Sequence, residues 1–426
     1  MGVPMRYLEK ARGLDAGDDL RHYRQQFHLP AEGIYLDGNS LGAASDQALE
    51  CLHRVIDEWK HLLIRGWTAA RNPWFTLCEE LAALSVPLVG AREGNVAIAN
   101  STTINLHHLL TSFFAPTEDR TLIVADTLNF PSDLYALAGQ LHLRGLLPQE
   151  HLLLVPSEDG RTIEEDAVAT ILSPRVALVL LPSVLYRSGQ LLDIPFLVEA
   201  AHRQGALIGF DLSHSVGVVG HQLSEWGVDF AFWCNYKYVS GGPGAPAGLF
   251  VHERHKDRLP GLPGWWGSEK SVQFAMEPTF VPAPDAGRWQ VGTPPILSAA
   301  PLLGALKLLG DAGIDRIRSK SLSLTSLLID LADDVLGACD FVVGTPREGS
   351  RRGGHVALEH PAAWQLTQAL LSQGIVPDFR PPNVIRLAPS PLYNTHEDIC
   401  CVVSALERLV RSGAYLQFDP QPRVVT

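Results

Sequence analysis

The chain has 426 residues, of which 46% are hydrophobic and 19% charged, and its formal net charge is -12. That length accommodates a large domain with a smaller companion, and the composition is that of an ordinary globular protein. The acidic balance argues against nucleic acid and anionic membrane as partners, so an anionic ligand needs a local site built from dipoles and a few cations.

The start, MGVPMRYLEKARG, carries no apolar signal region. No apolar run anywhere reaches the roughly 18 residues of a spanning helix. Residues 1–33 read as a helical arm. A short apolar strand at 34–36 is followed by Asp37-Gly38 and Asn39-Ser40, both turn signals. Helical apolar spacing covers 43–60 and 79–89, with an irregular aromatic stretch between them containing Trp67 and Trp74. The run 95–103 is apolar and ends in Ser101, Thr102 and Thr103, where an apolar helix over 104–114 begins. Small hydroxyl residues at such a start either cap the free N–H groups or leave them for an anion.

Strand-like runs follow at 121–125, 152–155, 176–181, 206–210, 230–233 and 249–251, with helical patterns between several of them, such as 163–171 and 194–204. Short, β-branched, continuously apolar runs are those of buried parallel strands, so an α/β domain with a mainly parallel sheet is expected. The stretch 134–150 carries no interpretable motif and reads as loop. Residues 256–300, rich in Pro, Gly and Trp, read as a long structured loop. Helices over 299–309 and 314–336, then strand, helix and strand at 355–358, 362–371 and 384–387, predict a small α+β domain. The expected division is an arm and site loop over 1–50, a large domain over 51–297 and a small domain over 298–426, joined by part of the arm. The tail 415–426 carries no motif.

Ligands of such sheets sit beyond the carboxyl ends of the strands. There the sequence places Asp133, Ser183, Asp211 with His214, and Lys237 between Tyr236 and Tyr238, followed by a glycine-rich loop. A desolvated lysine becomes a nucleophilic amine able to form Schiff bases. An aldehyde cofactor on it further needs a carboxylate for a pyridinium nitrogen, which Asp211 or Asp133 supplies. It needs an anion hole at a helix start. Its substrate needs a bidentate arginine for a carboxylate, for which Arg386 stands in the small domain. These requirements together point to pyridoxal 5'-phosphate (PLP). Competing signatures are missing: there is no P-loop, no G-x-S-x-G and no H-E-x-x-H. His252 and His255 in HERH read as an exposed turn rather than a metal site, and His107-His108 as packed or hydrogen-bonded. None of the six cysteines forms a Cys-x-x-Cys, so no zinc site or disulfide framework is expected and a reducing cytoplasm is the simplest setting.

The segments YLDGNSLG (35–42), NSTTINLHHLLTSFF (100–114), NFPSD (129–133), GFDLSHSVGVV (209–219), WGVDFAFWCNYKY (226–238), GWWG (264–267), GTPPI (292–296) and NVIRLAPSPLYN (383–394) resemble those of the kynureninases. They span nearly the whole chain in that family's order. The resemblance implies the fold type I, aspartate aminotransferase-like architecture and hydrolysis of L-kynurenine to anthranilate and L-alanine in tryptophan degradation. It implies that Lys237 carries PLP as a Schiff base and that Thr102, Thr103, Ser183 and Tyr236 hold its phosphate. Phe130 would stack on the ring, Asp211 pair its nitrogen, and Asp133 and His214 support that pair. Trp265 and Thr293 would reach the phosphate from a neighbouring subunit of a homodimer with shared sites. Arg386 would clamp the substrate carboxylate, and Ser40 and Trp67 would line the aryl pocket. Tyr236 would serve either as a proton-transfer partner or only as a phosphate ligand. Trp67 and Thr293 resemble the bacterial pattern, which implies kynurenine rather than 3-hydroxykynurenine. A cysteine desulfurase-like enzyme would instead want a mobile cysteine, for which Cys234 at a strand end is poorly placed. A ligand-binding relative without catalysis would not need Lys237, Asp211 and Arg386 together.

Overall fold

A computed structural model describes residues 3–31 and 33–421. The first strand, β1 (Ile34–Tyr35), pairs in parallel with β11 (Ile375–Val376) and ties the N-terminal arm to the C-terminal part of the chain. The seven-stranded sheet comprises β2 (Val96–Ala99), β3 (Leu122–Asp126), β4 (Leu152–Val155), β5 (Val176–Pro182), β6 (Leu207–Asp211), β7 (Phe230–Trp233) and β8 (Ala247–Val251). Its spatial order is β2-β8-β7-β6-β5-β3-β4. Only β8 runs against its neighbours, so the sheet is mainly parallel. Every residue of β2, β3, β5, β7 and β8 is buried. Both faces are covered, which is why these strands read as unbroken apolar runs rather than alternations.

A second, antiparallel sheet has the order β12-β13-β10-β9, formed by β9 (Val342–Val343), β10 (Val356–Glu359), β12 (Asp378–Arg380) and β13 (Val384–Leu387). Its core draws on Leu324, Leu328, Leu358, Leu366, Ile385 and Leu406, and on Ala11 of the arm. The helix Ile296–Ala312 instead sends Leu302, Leu306 and Leu309 into the core of the large sheet. We therefore propose that the division by core falls within the helix Ile314–Leu331 rather than at residue 297.

Three stretches differ from the sequence expectation. Residues 134–150, read as loop, are mostly helix: Pro131 opens the helix Pro131–His142, and Ala136, Leu137 and Leu141 form its buried stripe. A proline at the first turn costs nothing, because its missing N–H has no partner there in any case. The helix expected over 314–336 is α-helical only to Leu331, and a wider π turn over Ala332–Leu336 turns Val335 and Leu336 into the core. The HERH turn is not simply exposed. His255 Nε2 lies 2.7 Å from Asp229 Oδ1 and His202 Nε2 lies 2.9 Å from Asp229 Oδ2. Asp229 is buried and collects these partners together with Arg254. Among the described residues no cluster of His, Cys, Asp or Glu suits a metal ion. His107 Nδ1 meets Gln140 Nε2 at 3.2 Å, while His108 is buried.

Candidate active site

The parallel strands end on one side of the sheet, where β3, β5, β6 and β7 deliver Asp126, Pro182, Asp211 and, just past Trp233, the Asn235–Lys237 segment. These ends, the start of the helix Thr102–Phe113 and the β12-β13 hairpin enclose a cavity of about 320 Å³. Its wall contains Ser40, Thr102, Thr103, Phe130, Asp133, Asp211, His214, Tyr236, Lys237 and Arg386. These residues, from six separate segments of the chain, therefore meet around one space.

Lys237 Nζ lies 3.0 Å from His214 Nε2. Burial holds the His214 imidazole well below its ordinary pKa, and the Lys237 cation adds to the effect. His214 is thus neutral beside the lysine. On the cavity floor Asp133 and Asp211 are both buried and adjacent. Burial raises both carboxyls, and for Asp133 the neighbouring Asp211 raises it further. Two buried carboxylates in contact do not both ionise without a cation between or beside them. Asp211 Oδ1 accepts from Ser213 N at 2.8 Å, whereas Asp133 Oδ2 and His214 Nδ1 have no hydrogen-bond partner among the described residues.

Where the helix Thr102–Phe113 meets the cavity, Ser101 makes no side-chain cap on it. Of the two uses open to that helix start, the side-chain cap is not made, and Thr102 and Thr103 of its first turn line the cavity. Thr103 Oγ1 pairs with Ser132 Oγ at 2.7 Å. A group with a protonated ring nitrogen at one end and a phosphate at the other matches this donor and acceptor set. PLP is such a group, and the residues present fit it.

Arg386 is almost fully buried in β13. The register places it opposite Asp378 of β12. Its Nε and Nη2 both contact Asp378 Oδ2, its Nη1 donates to Tyr186 O, and Nη2 lies 3.4 Å from Ser40 Oγ. Arg380 Nε donates to the same Asp378 oxygen at 3.0 Å and also lines the cavity. Asp37, behind Ser40, is pushed up to about 6 by burial and by the Asp378 carboxylate. Gly42 lets the 37–42 turn lie against the lysine strand end: its N–H donates to Tyr236 O at 2.8 Å, and a Cβ there would strike Ser240 and the Lys237 carbonyl.

Four expected site residues stand elsewhere. Ser183 is fully buried below the cavity, where its hydroxyl meets Ser215 Oγ at 2.7 Å and donates to Asp211 O at 3.2 Å. Its place at the wall is taken by Ser213. Trp67 packs edge-on to Trp74 and against Trp266, not into the cavity. Trp265 is 43% exposed and donates from Nε1 to Gln273 O at 3.1 Å, and Thr293 is exposed. Sequence reasoning in turn missed Arg380, Ser132, Ser213 and Tyr186. Arg380 had a signal: it stands two residues from Asp378, hence on the same face of a strand.

Residues 317–406 match the family model described as the kynureninase C-terminal domain. The kynureninase of Geobacillus thermodenitrificans is 50% identical over 98% of this chain and 98% of its own. The chain belongs to the kynureninase family. The kynureninases of Shouchella clausii and Bacillus anthracis are 48% and 47% identical, each over 98% of this chain and 97% of their own. Kynureninases are PLP-dependent hydrolases of carbon–carbon bonds in ketonic substrates, and this enzyme shares that cofactor and reaction class. Among solved structures, the cysteine desulfurase of Thermococcus onnurineus NA1 superposes with a TM-score of 0.77 at 19% identity, covering 92% of this chain and 98% of its own. CsdA of Escherichia coli gives 0.76 at 18%, covering 92% and 99%. At that identity the likeness is one of fold, and it establishes the fold type I architecture. Cys234, the cysteine nearest the site in sequence, is buried with its Sγ 4.0 Å from Ser213 O, not displayed on a loop.

Proposed function

We propose that the protein hydrolyses L-kynurenine in preference to its 3-hydroxy derivative, as a cytoplasmic enzyme of tryptophan degradation. Kynurenine cleavage itself follows from family membership. The observation that carries the site assignment is the convergence of Lys237, Asp211, Asp133, His214 and Arg386 on one cavity.

Thr102, Thr103 and the helix start would hold the PLP phosphate, Phe130 would face the ring, and Asp211 with Asp133 would keep its nitrogen protonated. Lys237 would hold PLP there, and the bound cofactor would supply an electron sink for charge developing on the substrate's α and β carbons. Arg386, aimed by Asp378, receives the α-carboxylate as a two-pronged donor. Lys237 would be the base placed for the α hydrogen, and neutral His214 beside it would not compete for charge. Tyr236 has its phenol raised by Cys234 beside it and by burial, so it enters the reaction protonated. It can therefore donate a proton as water adds to the γ-carbonyl and the Cβ–Cγ bond breaks. The aroyl carbon keeps the water oxygen and leaves as anthranilate; the β carbon takes a proton and leaves as alanine.

We infer further that two copies share their sites. Trp265 stacks edge-on to Phe274, which is 63% exposed and also meets Phe75. Trp266 N–H donates to Val291 O, which brings the Thr293 loop beside this strip. An exposed aromatic strip of this kind suits burial against a second subunit, and Trp67, Trp265 and Thr293, on it or beside it, are three of the four expected site residues that the chain's own cavity lacks. The unhydroxylated ring suits Trp67, with one N–H and a broad apolar face.

Steady-state turnover of PLP-loaded protein on L-kynurenine and on 3-hydroxy-L-kynurenine tests the reading. The expected result is a kcat/KM higher on kynurenine by roughly tenfold or more. The reverse preference sinks the specificity assignment, and no turnover on either substrate sinks the site assignment.

A further inference from the structure

Of the polar cavity side chains that the chemistry above leaves unused, Asn39 stands apart. Asn39 lines the cavity and is 0% exposed, yet neither its Nδ2 nor its Oδ1 has a hydrogen-bond partner among the described residues. A buried amide without partners is costly in a folded protein. Its chain neighbours fix its place. Ser40 Oγ lies 3.4 Å from Arg386 Nη2, and Gly42 N–H donates to Tyr236 O at 2.8 Å. The turn thus bridges the carboxylate clamp and the lysine strand end, the two points between which an amino acid substrate is held.

The two empty faces of the amide define what completes it. A carboxylate only accepts, and would leave Oδ1 bare. The completing group must carry an acceptor and a donor side by side. In L-kynurenine the γ-carbonyl oxygen and the ring amino group ortho to it are such a pair. We propose, on the reading that this site cleaves kynurenine, that Asn39 recognises the aminobenzoyl group: Nδ2 donates to the γ-carbonyl oxygen and Oδ1 accepts from the ortho amino group. The donor half then also faces the oxygen that gains charge as water adds, where a fixed hydrogen bond lowers the barrier. Asn39 is on this account a specificity-determining residue whose acceptor half selects the ring amine.

The test compares wild type, Asn39→Ala and Asn39→Asp, all PLP-loaded, on L-kynurenine and on its analogue without the ring amino group, 2-amino-4-oxo-4-phenylbutanoate. Asn39→Ala should lower kcat/KM on kynurenine by about ten- to a hundredfold, and on the analogue by about tenfold less than that. Asn39→Asp keeps the acceptor and loses the donor, so it should slow both substrates while retaining the preference for the amine. The cofactor's visible absorbance should be the same in all three proteins. Equal losses on both substrates in Asn39→Ala, or no loss on either, would overturn the proposal. If Asn39→Ala does not fold, loss of the preference in Asn39→Asp overturns it equally. A second readout does not depend on turnover: equilibrium titration with anthranilate and with benzoate, followed by the cofactor band. Asn39→Ala should weaken anthranilate more than benzoate, and parallel weakening would overturn the assignment. Wild-type failure on both substrates would instead count against kynurenine cleavage, and the two titrations would still decide the role of Asn39.

Discussion

At the scale of single residues, the site is governed by how buried charges are matched. Lys237, Asp211 and Arg386 each stood out in the sequence because a charged side chain next to an apolar strand needs a purpose. Their partners were less visible. Asp378 was not singled out, although it is the carboxylate that aims Arg386. Removing it leaves a buried guanidinium unpaired, so Asp378→Ala should cost about 3–5 kcal/mol of stability, measurable by urea unfolding. Asp378→Asn keeps the shape and should chiefly raise KM for kynurenine, with a smaller change in kcat; a selective loss of kcat would contradict an aiming role. Lys237→Ala should abolish both the visible absorbance of bound cofactor and turnover, and survival of both would refute its assignment. Ser183 is a different case: the family resemblance implied a phosphate ligand, and in the structure its hydroxyl pairs with Ser215.

At the scale of elements, most strands and helices were legible because burial on both faces leaves an unbroken apolar signature. β4, β7 and β13 coincide with the expected runs, and β3, β5 and β6 extend one residue further, into Asp126, Pro182 and Asp211. The extra residue is polar or proline in each case, so the apolar pattern stops before the ladder does. The helix Pro131–His142 was missed because its stripe is short and flanked by turn-forming residues. Two contacts at this scale are testable. The helix His396–Ser412 starts with a reciprocal cap, Thr395 Oγ1 accepting from Asp398 N and the Asp398 carboxylate from Thr395 N. Thr395→Ala should lower stability by about 1 kcal/mol, and an unchanged urea midpoint would show that the Arg24–Asp398 pair holds the start unaided. Gly304 lets the helix Ile296–Ala312 meet the backbone of Gln47 and Ala48 on the helix Asp46–Leu62. A methyl there forces the helices apart, so Gly304→Ala should destabilise by about 1–3 kcal/mol despite the better helix propensity of alanine.

At the scale of the whole molecule, acid sensitivity has an identifiable contributor. Burial alone would raise Asp229, but hydrogen bonds from His202 and His255 and the charge of Arg254 outweigh it and hold the carboxyl well below its ordinary value. A carboxyl depressed in the folded state stabilises above its unfolded pKa and loses that stabilisation as pH falls toward the folded value. Asp229→Asn should therefore be less stable than wild type at pH 7, with the gap closing below about pH 4; a gap that is constant with pH would point to packing instead. The architecture class, the lysine on its strand end and the likeness to the kynureninases are legible in the sequence, because those properties rest on local pattern and on motifs contiguous in the chain. Which polar groups share the cavity follows from the packing of distant segments. The register of β12 on β13 set Asp378 against Arg386, and the turn at 37–42 laid Asn39 between clamp and lysine. The first is a hairpin register and the second a contact across 346 residues, from Ser40 to Arg386, and the apolar pattern of the sequence encodes neither.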